Sequence, residues 1–453
     1  MYLFKSSAAV LTRVYLLVMS VCLCSCGGGV QTPEDAEQLE SFHRTYFEQK
    51  DGPLADGQLN LYVDYSTCCA LGQNSQFFQD VTASLVNRTT AYYSIKGSEI
   101  AKEESSDIYT LLRNINEVNY ADLASAAKMI ADDEVETVLL TDGEYYTQSI
   151  ARGHDNDPYL TNAFKTWILK GHDIYVISEP YVEVNRHKDY KKKRFYFLFT
   201  DDRIPNNIHS RIVRTVDFQN YPEIDEFHIS ASHPMLKGDD NNTSIQNGIL
   251  ASKSKGFGSF EICDWSACDW KTIDEMIVNA LDPNTGELTE NGDPVMEMAI
   301  DKNSFGCYQI QELDVKLYDI NTLYSDYYNA VVLGSDSLHV LDKLYELDNF
   351  LKIDKTEFDE NGKIKLYFDR NYFDPTAFCG SPYNYLKVDL TINKVQQVFV
   401  GHEDKFTFES IDNPGNVNVS IASSIKQCLA DQDVMNKMTG QTIYSIYIKS
   451  SEN

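Results

Sequence analysis

Hydrophobic and polar positions along this chain follow two regimes. Between about residues 57 and 215, compact apolar runs alternate with stretches whose apolar residues recur three and four apart. Leu59–Ser66 (LNLYVDYS) is rich in strand-favouring side chains, and Phe77–Val86 has helical spacing, so a strand followed by a helix is expected. Thr90–Ile95 reads as a second strand and the Ala-rich Tyr120–Ile130 as a helix. Glu136–Thr141 (ETVLLT) is largely apolar, as a central parallel strand covered on both faces requires. Leu160–Lys170 reads as an amphipathic helix stopped by Gly171, followed by strands at Asp173–Ser178 and Arg194–Thr200. This alternation predicts an α/β fold, a doubly wound and mostly parallel sheet with helices on both faces. Ligands of such sheets gather at the carboxyl ends of the strands.

The second regime is β-rich. Residues 216–255, polar and Ser/Asn-rich from Asp239 to Ser254, read as a linker. Over 256–453, strand-like runs occur at Phe260–Cys263, Cys307–Ile310, Lys363–Asp369, Tyr385–Ile392, Val395–Val400, Phe406–Phe408 and Ile443–Ile448. Lys387–Ile392 (KVDLTI) alternates as a half-solvated antiparallel strand should. Asp359–Gly362 reads as a hairpin turn, and Leu338–Phe350 and Ile421–Met438 as helical insertions. A sandwich-like C-terminal module is expected. Asp282–Asp293 has scattered acids and glycines without the full calcium-loop pattern and reads as a plain turn.

The N-terminus changes the picture. Lys5 and Arg13 precede the short apolar run Val14–Leu23, which ends in Leu23-Cys24-Ser25-Cys26-Gly27. The run is too short to span a bilayer comfortably, and its end resembles the bacterial lipobox. Residues 1–25 are then a lipoprotein signal peptide, Cys26 the lipidated first mature residue, and 26–56 a tether. The expected location is the bacterial cell envelope, on its periplasmic or surface side, with membrane contact through the lipid alone. The whole chain carries 39 Lys+Arg against 68 Asp+Glu, a net charge of −29. Without the signal, 37 basic residues face 68 acidic ones, a net charge of −31. That excess repels phosphate backbones and excludes a nucleic-acid partner. Seven cysteines stay outside the signal and lipid site: Cys68, Cys69, Cys263, Cys268, Cys307, Cys379 and Cys428. An odd count leaves a thiol unpaired within a monomer, and Cys263 with Cys268 is the nearest local pair.

Two strand ends carry the chemistry. Asp64-Tyr65-Ser66-Thr67-Cys68 follows the first strand, and Thr141-Asp142-Gly143 closes the central one. In order and separation these resemble the DxSxS and TDG-like motifs of the von Willebrand factor A domain, over roughly residues 57–215. The resemblance implies a metal-ion-dependent adhesion site. Ser66 would give a hydroxyl, Asp64 and Asp142 carboxylates, and the ion would be Mg²⁺ or Mn²⁺ with a position open to a partner's carboxylate. The chain departs from the pattern twice: Cys68 stands where a second serine belongs, and Ala121 where a threonine belongs, with Asn119 and Asp122 nearby.

The functional expectation is an anchored envelope protein that binds a protein or other envelope macromolecule through its A-like domain. Two alternatives are an envelope hydrolase and a structural subunit of a surface assembly. The hydrolase would use Cys68 or Cys69 with His154 and Asp142 as nucleophile, base and orienter. The basic island Arg186–Arg194 (RHKDYKKKR) reads as a solvated hairpin guarding a sheet edge.

Overall fold

The computed structural model describes residues 33–47, 54, 57–104, 107–115, 121–145, 155–231, 244–245, 249–253, 259–264, 296–299, 307–334, 337–338, 344–347, 351–353, 355–368 and 384–450. The signal peptide, Cys26, Asn119, His154, Cys268, Cys379 and the Asp282–Asp293 turn lie outside the described residues.

Seven strands make the first sheet: β1 (Asn60–Asp64), β2 (Ala91–Lys96), β3 (Glu99–Lys102), β4 (Thr137–Thr141), β5 (Asp173–Asn185), β6 (Lys188–Thr200) and β7 (Asp225–Ile229). Their order is β3-β2-β1-β4-β6-β5-β7. β1 runs between β2 and β4, parallel to both. The other neighbours pair antiparallel, so the sheet is mixed, with β1, β2, β4 and β5 pointing one way. β1 and β4 are buried along their whole length, which explains their near-continuous apolar sequence. Leu61, Val63, Val138 and Leu140 face α3 (Gln76–Val86) and α7 (Ile208–Thr215). Tyr62, Leu139, Phe197 and Phe199 face α5 (Leu123–Asp133) and α6 (Thr161–Leu169). Each fully buried aliphatic side chain contributes about 1.5–3 kcal/mol. The Ser75 side chain caps α3 by accepting from Phe78 N, and Asp122 caps α5 by accepting from Ser125 N, as short polar residues at helix starts do.

The expected strands at 173–178 and 194–200 are the inner halves of a long hairpin. Arg186 (φ 50°) and His187 (φ 64°) make its two-residue turn. Both lie in the left-handed region, the geometry that matches strand twist in tight hairpins. A two-residue turn cannot cross over, so β6 enters the sheet antiparallel between β4 and β5.

The C-terminal half holds a six-stranded sheet, a four-stranded antiparallel sheet and a two-stranded ribbon. The largest is built around β12 (Tyr308–Asp319), β16 (Asn384–Gln397) and β19 (Thr442–Ser450). On one face of β16, Leu386, Val388, Leu390 and Ile392 join the core beneath the first sheet. Ile421, Ile425 and Leu429 of α10 (Ser420–Ala430) and Val434 of α11 (Gln432–Met438) pack into that core with Phe164 and Ile168. The two halves therefore share one hydrophobic interior.

Several expectations are corrected here. Part of the expected tether, Pro33–Tyr46, is a helix, α1. Its Leu39 and Phe42 are fully buried against Tyr324, Tyr327 and Tyr447, because the two apolar side chains three apart find an aromatic nest. With α8 (Asn321–Tyr327) it layers the second face of the large sheet, so the arrangement is not a plain sandwich. The polar face of Lys387–Ile392 is covered rather than solvated: Lys387 pairs with Asp389 and lies 4.2 Å from the centre of the Phe47 ring. Residues 225–229 of the expected linker form β7, hydrogen-bonded to β5. Asp359–Gly362 ends a helix, α9 (Lys355–Asn361), in place of a hairpin turn. Within 338–350, residues Tyr345–Glu346 are strand, paired to β12. Among the described residues no helix is long and apolar enough to cross a membrane.

Candidate functional site

The parallel pairing of β1 with β4 sets Val63 against Leu140, which brings the following residues, Asp64 and Thr141-Asp142, together at one sheet end. The Thr141 hydroxyl donates to Asp64 Oδ2 (2.8 Å) and accepts from Gly143 N (3.0 Å). Asp142 Oδ1 accepts from Glu144 N at 2.9 Å. Ser66 faces both carboxylates and favours their charged forms, and its Oγ is 3.2 Å from Cys68 Sγ. The three residues read from the sequence thus converge, and all are buried.

The electrostatics are those of a buried acidic cluster. Burial pushes the Asp64 carboxyl well up, and the charge of Asp142 adds to it. Burial also raises Asp142, while the Lys192 ammonium pulls it back. Glu144 is pushed up to about 7 by burial, against the pull of Lys192. Lys192 has a fully buried side chain, pairs with Glu144, and stands 4.5 Å over the Phe408 ring. The period-two alternation of β6 puts Lys192 and Arg194 in register with buried Tyr196 and Leu198. The basic island therefore sends two of its cations inward, which corrects its reading as a purely solvated hairpin. Arg194 donates from Nε (2.9 Å) and Nη2 (2.6 Å) to the Cys68 carbonyl and from Nη1 to Glu179 (2.6 Å). It thereby fixes the loop that carries Ser66.

The C-terminal half closes this end of the sheet. Val419 N donates to the Asp155 carbonyl (2.8 Å), and Asn413 Nδ2 to the Asp155 carboxylate (2.5 Å). Tyr159 donates its hydroxyl to the Gly143 carbonyl at 3.0 Å. Gly143 has φ +74°, and a Cβ there would meet the Phe195 ring at 2.9 Å and Ile421 of α10 at 3.1 Å. Gly143→Ala is therefore expected to lose about 1–3 kcal/mol through backbone strain and overpacking, read as a lowered urea midpoint.

The donor set fits a hard divalent cation in part. Asp64 Oδ1 is buried with no hydrogen-bond partner among the described residues, and Ser66 and Asp142 add oxygens. Ala121 contributes only a backbone bridge with Gly97, and the Asp122 carboxylate is engaged by Ser125 N and Oγ. Cys68 Sγ lies 3.5 Å from Cys69 Sγ, and burial pushes its thiol well up. A protonated, enclosed thiol is a poor nucleophile.

A second constellation sits at the opposite end of the sheet. Asp173 opens β5, Asp202 follows β6, and His228 lies in β7. Their ligand atoms lie within 4.8 Å of one another, and the cluster could hold a metal ion. Burial acts to lower the His228 imidazole, but the hydrogen bond and charge of Asp173, with Asp202 and Glu226, raise it overall. Burial and the neighbouring Asp173 raise Asp202. No local motif marks this trio, since strand pairing alone assembles it.

No protein-family model, curated protein or solved structure matches this chain.

Proposed function

We propose that the chain is a lipid-anchored bacterial envelope protein that binds another macromolecule through a von Willebrand factor A-like domain. The observation that carries this reading is the convergence of Asp64, Ser66 and Asp142 at the ends of two parallel central strands, with Asp64 Oδ1 buried and without a hydrogen-bond partner among the described residues. The order of β3-β2-β1-β4 and helices on both faces support the same reading. Mg²⁺ or Mn²⁺ held by these three residues would supply an electrophilic position for a partner's carboxylate. In the closed arrangement Lys192 offsets part of the acidic charge and α10 covers Gly143. Partner binding then requires the cap formed by residues 408–421 to move. The binding reading is favoured over the hydrolase because the Cys68 thiol is enclosed and burial pushes its pKa up, away from the reactive thiolate.

Calorimetry on the signal-free protein with Mg²⁺ and Mn²⁺ is the test. Weak binding is expected in the wild type, lost in Asp64→Asn and Asp142→Asn. Cys68→Ser with Ala121→Thr should tighten it, since each restores an oxygen donor. Absence of heat in both the wild type and the double variant would remove the metal site. A pull-down from envelope extract, with and without chelator, then reads partner capture directly.

A further inference from the structure

We propose that Asp173, Asp202 and His228 form a second, independent site for a transition-metal dication, Zn²⁺ foremost, at the amino ends of the parallel strands. A tetrahedral Zn²⁺ with bonds of about 2.0–2.1 Å places its ligand atoms roughly 3.3 Å apart. His228 Nε2 lies 3.0 Å from Asp173 Oδ1 and 3.5 Å from Asp202 Oδ2. The two imidazole–carboxylate separations thus bracket that spacing, and all three ligand atoms lie within 4.8 Å of one another. One imidazole with two carboxylates suits a borderline ion better than Mg²⁺ or Ca²⁺, which prefer all-oxygen shells.

The surroundings hold the donors in place. Asp173 Oδ2 accepts from Asp202 N at 2.8 Å, and its Oδ1 lies 3.0 Å from the imidazole. Asp202 Oδ1 accepts from Asn207 Nδ2 at 3.0 Å, and Oδ2 accepts from the Tyr175 hydroxyl at 2.7 Å. The Tyr175 ring stacks on His228 (4.1 Å, 2°) and, on its other side, on His209 (3.5 Å, 4°). The stack fixes the plane of the His228 ring. Such outer contacts orient ligands in metal sites.

Charge points the same way. Two carboxylates face one imidazole here, while neighbouring basic side chains are engaged elsewhere: Arg203 and His172 contact Asp201, and His209 contacts Glu226. The side chains of His228 and Asp202 are 22% and 27% exposed, so an ion has a way in, whereas Asp173 is fully buried. The site joins the start of β5, the loop after β6 and the edge strand β7. A bound ion would staple that edge, with a water in the remaining coordination position.

The test uses the signal-free full chain carrying Asp64→Asn and Asp142→Asn, so the other sheet end cannot contribute. Zn²⁺ calorimetry should show one equivalent bound, and Co²⁺ should give the intense visible bands of a four-coordinate ion. His228→Ala and Asp202→Asn should each weaken binding at least tenfold, the loss typical of disturbed ligand shells. His228→Gln, which keeps a side-chain donor toward Asp173, covers the case in which the alanine variant misfolds, with circular dichroism as the check on folding. Absence of heat and of Co²⁺ bands in the folded protein would overturn the proposal. Binding unchanged in the folded His228 and Asp202 variants would also overturn it. Failure here leaves the Asp64 reading untouched, because that site is already disabled.

Discussion

Arg194→Met is expected to remove about 3–5 kcal/mol of stability, the range for breaking one side of a buried ion pair. The arginine side chain is almost fully enclosed, lying about 5 Å from the ring centres of Phe78 and Tyr181. Its loss strands the Glu179 carboxylate, which among the described residues keeps the hydroxyls of Tyr196 and Ser75. It also leaves the Cys68 carbonyl without its two guanidinium donors. Arg194→Lys should recover less than half of the loss, because a lysine cannot present three donors in one plane or lie between two rings as a guanidinium does. Urea unfolding followed by tryptophan fluorescence measures both variants. A loss below about 1 kcal/mol would mean that the surrounding groups rehydrate, and that the loop carrying Ser66 does not depend on this arginine.

Lys192→Met is expected to be mildly destabilising at pH 5.5 and to cost about 3 kcal/mol or more at pH 8. Glu144 titrates near 7 in the folded chain, above its ordinary 4.5. The folded state therefore holds more protons between those values. The stabilisation from this raised pKa is full below about pH 4.5 and is lost as pH rises through 7. Lys192 pulls Glu144 and Asp142 down. Without it both carboxyls rise further and the fall with pH steepens. At pH 5.5 the Glu144 carboxyl can protonate, which limits the penalty. At pH 8 the folded state must hold buried charge with no ammonium beside it. Lys192→Met combined with Glu144→Leu should regain much of the loss at pH 8, because the pair is then replaced by apolar groups. Denaturation midpoints at the two pH values decide the matter, and equal losses at both would contradict it.

What was legible in the sequence is what strand-local patterns can carry. β1 and β4 are fully buried, so their apolar runs announce a central position. Because they are parallel neighbours, the motif residues after them fall side by side. The hairpin was not legible in the same way. Its turn uses Arg186 and His187 at positive φ, where glycine or asparagine is the usual signal. Lys192 looked solvated because its partner Glu144 is 48 residues away. The Asp173–Asp202–His228 cluster likewise depends on pairings that span 29 and 55 residues. α1 was hidden by a polar composition in which Leu39 and Phe42 are the fully buried apolar side chains, while His43 and Ser41 reach the nest through hydrogen bonds to Tyr447 and Tyr327. Lys387 and Asp389 alternate like a wet face, but they pair with each other, and Phe47, just past α1 at the opposite end of the chain, lies over Lys387.

The docking of α1 also sets a length scale. Six residues lie between Cys26 and Pro33, the first residue of that helix, and the seven steps from one to the other reach at most about 25 Å when extended. A lipid on Cys26 would therefore moor the chain on a short line whose far end is fastened to the six-stranded sheet. The C-terminal half would ride against the headgroups, and the chain could swivel there but not search far into the envelope. Its partner would have to come to the membrane surface to be met.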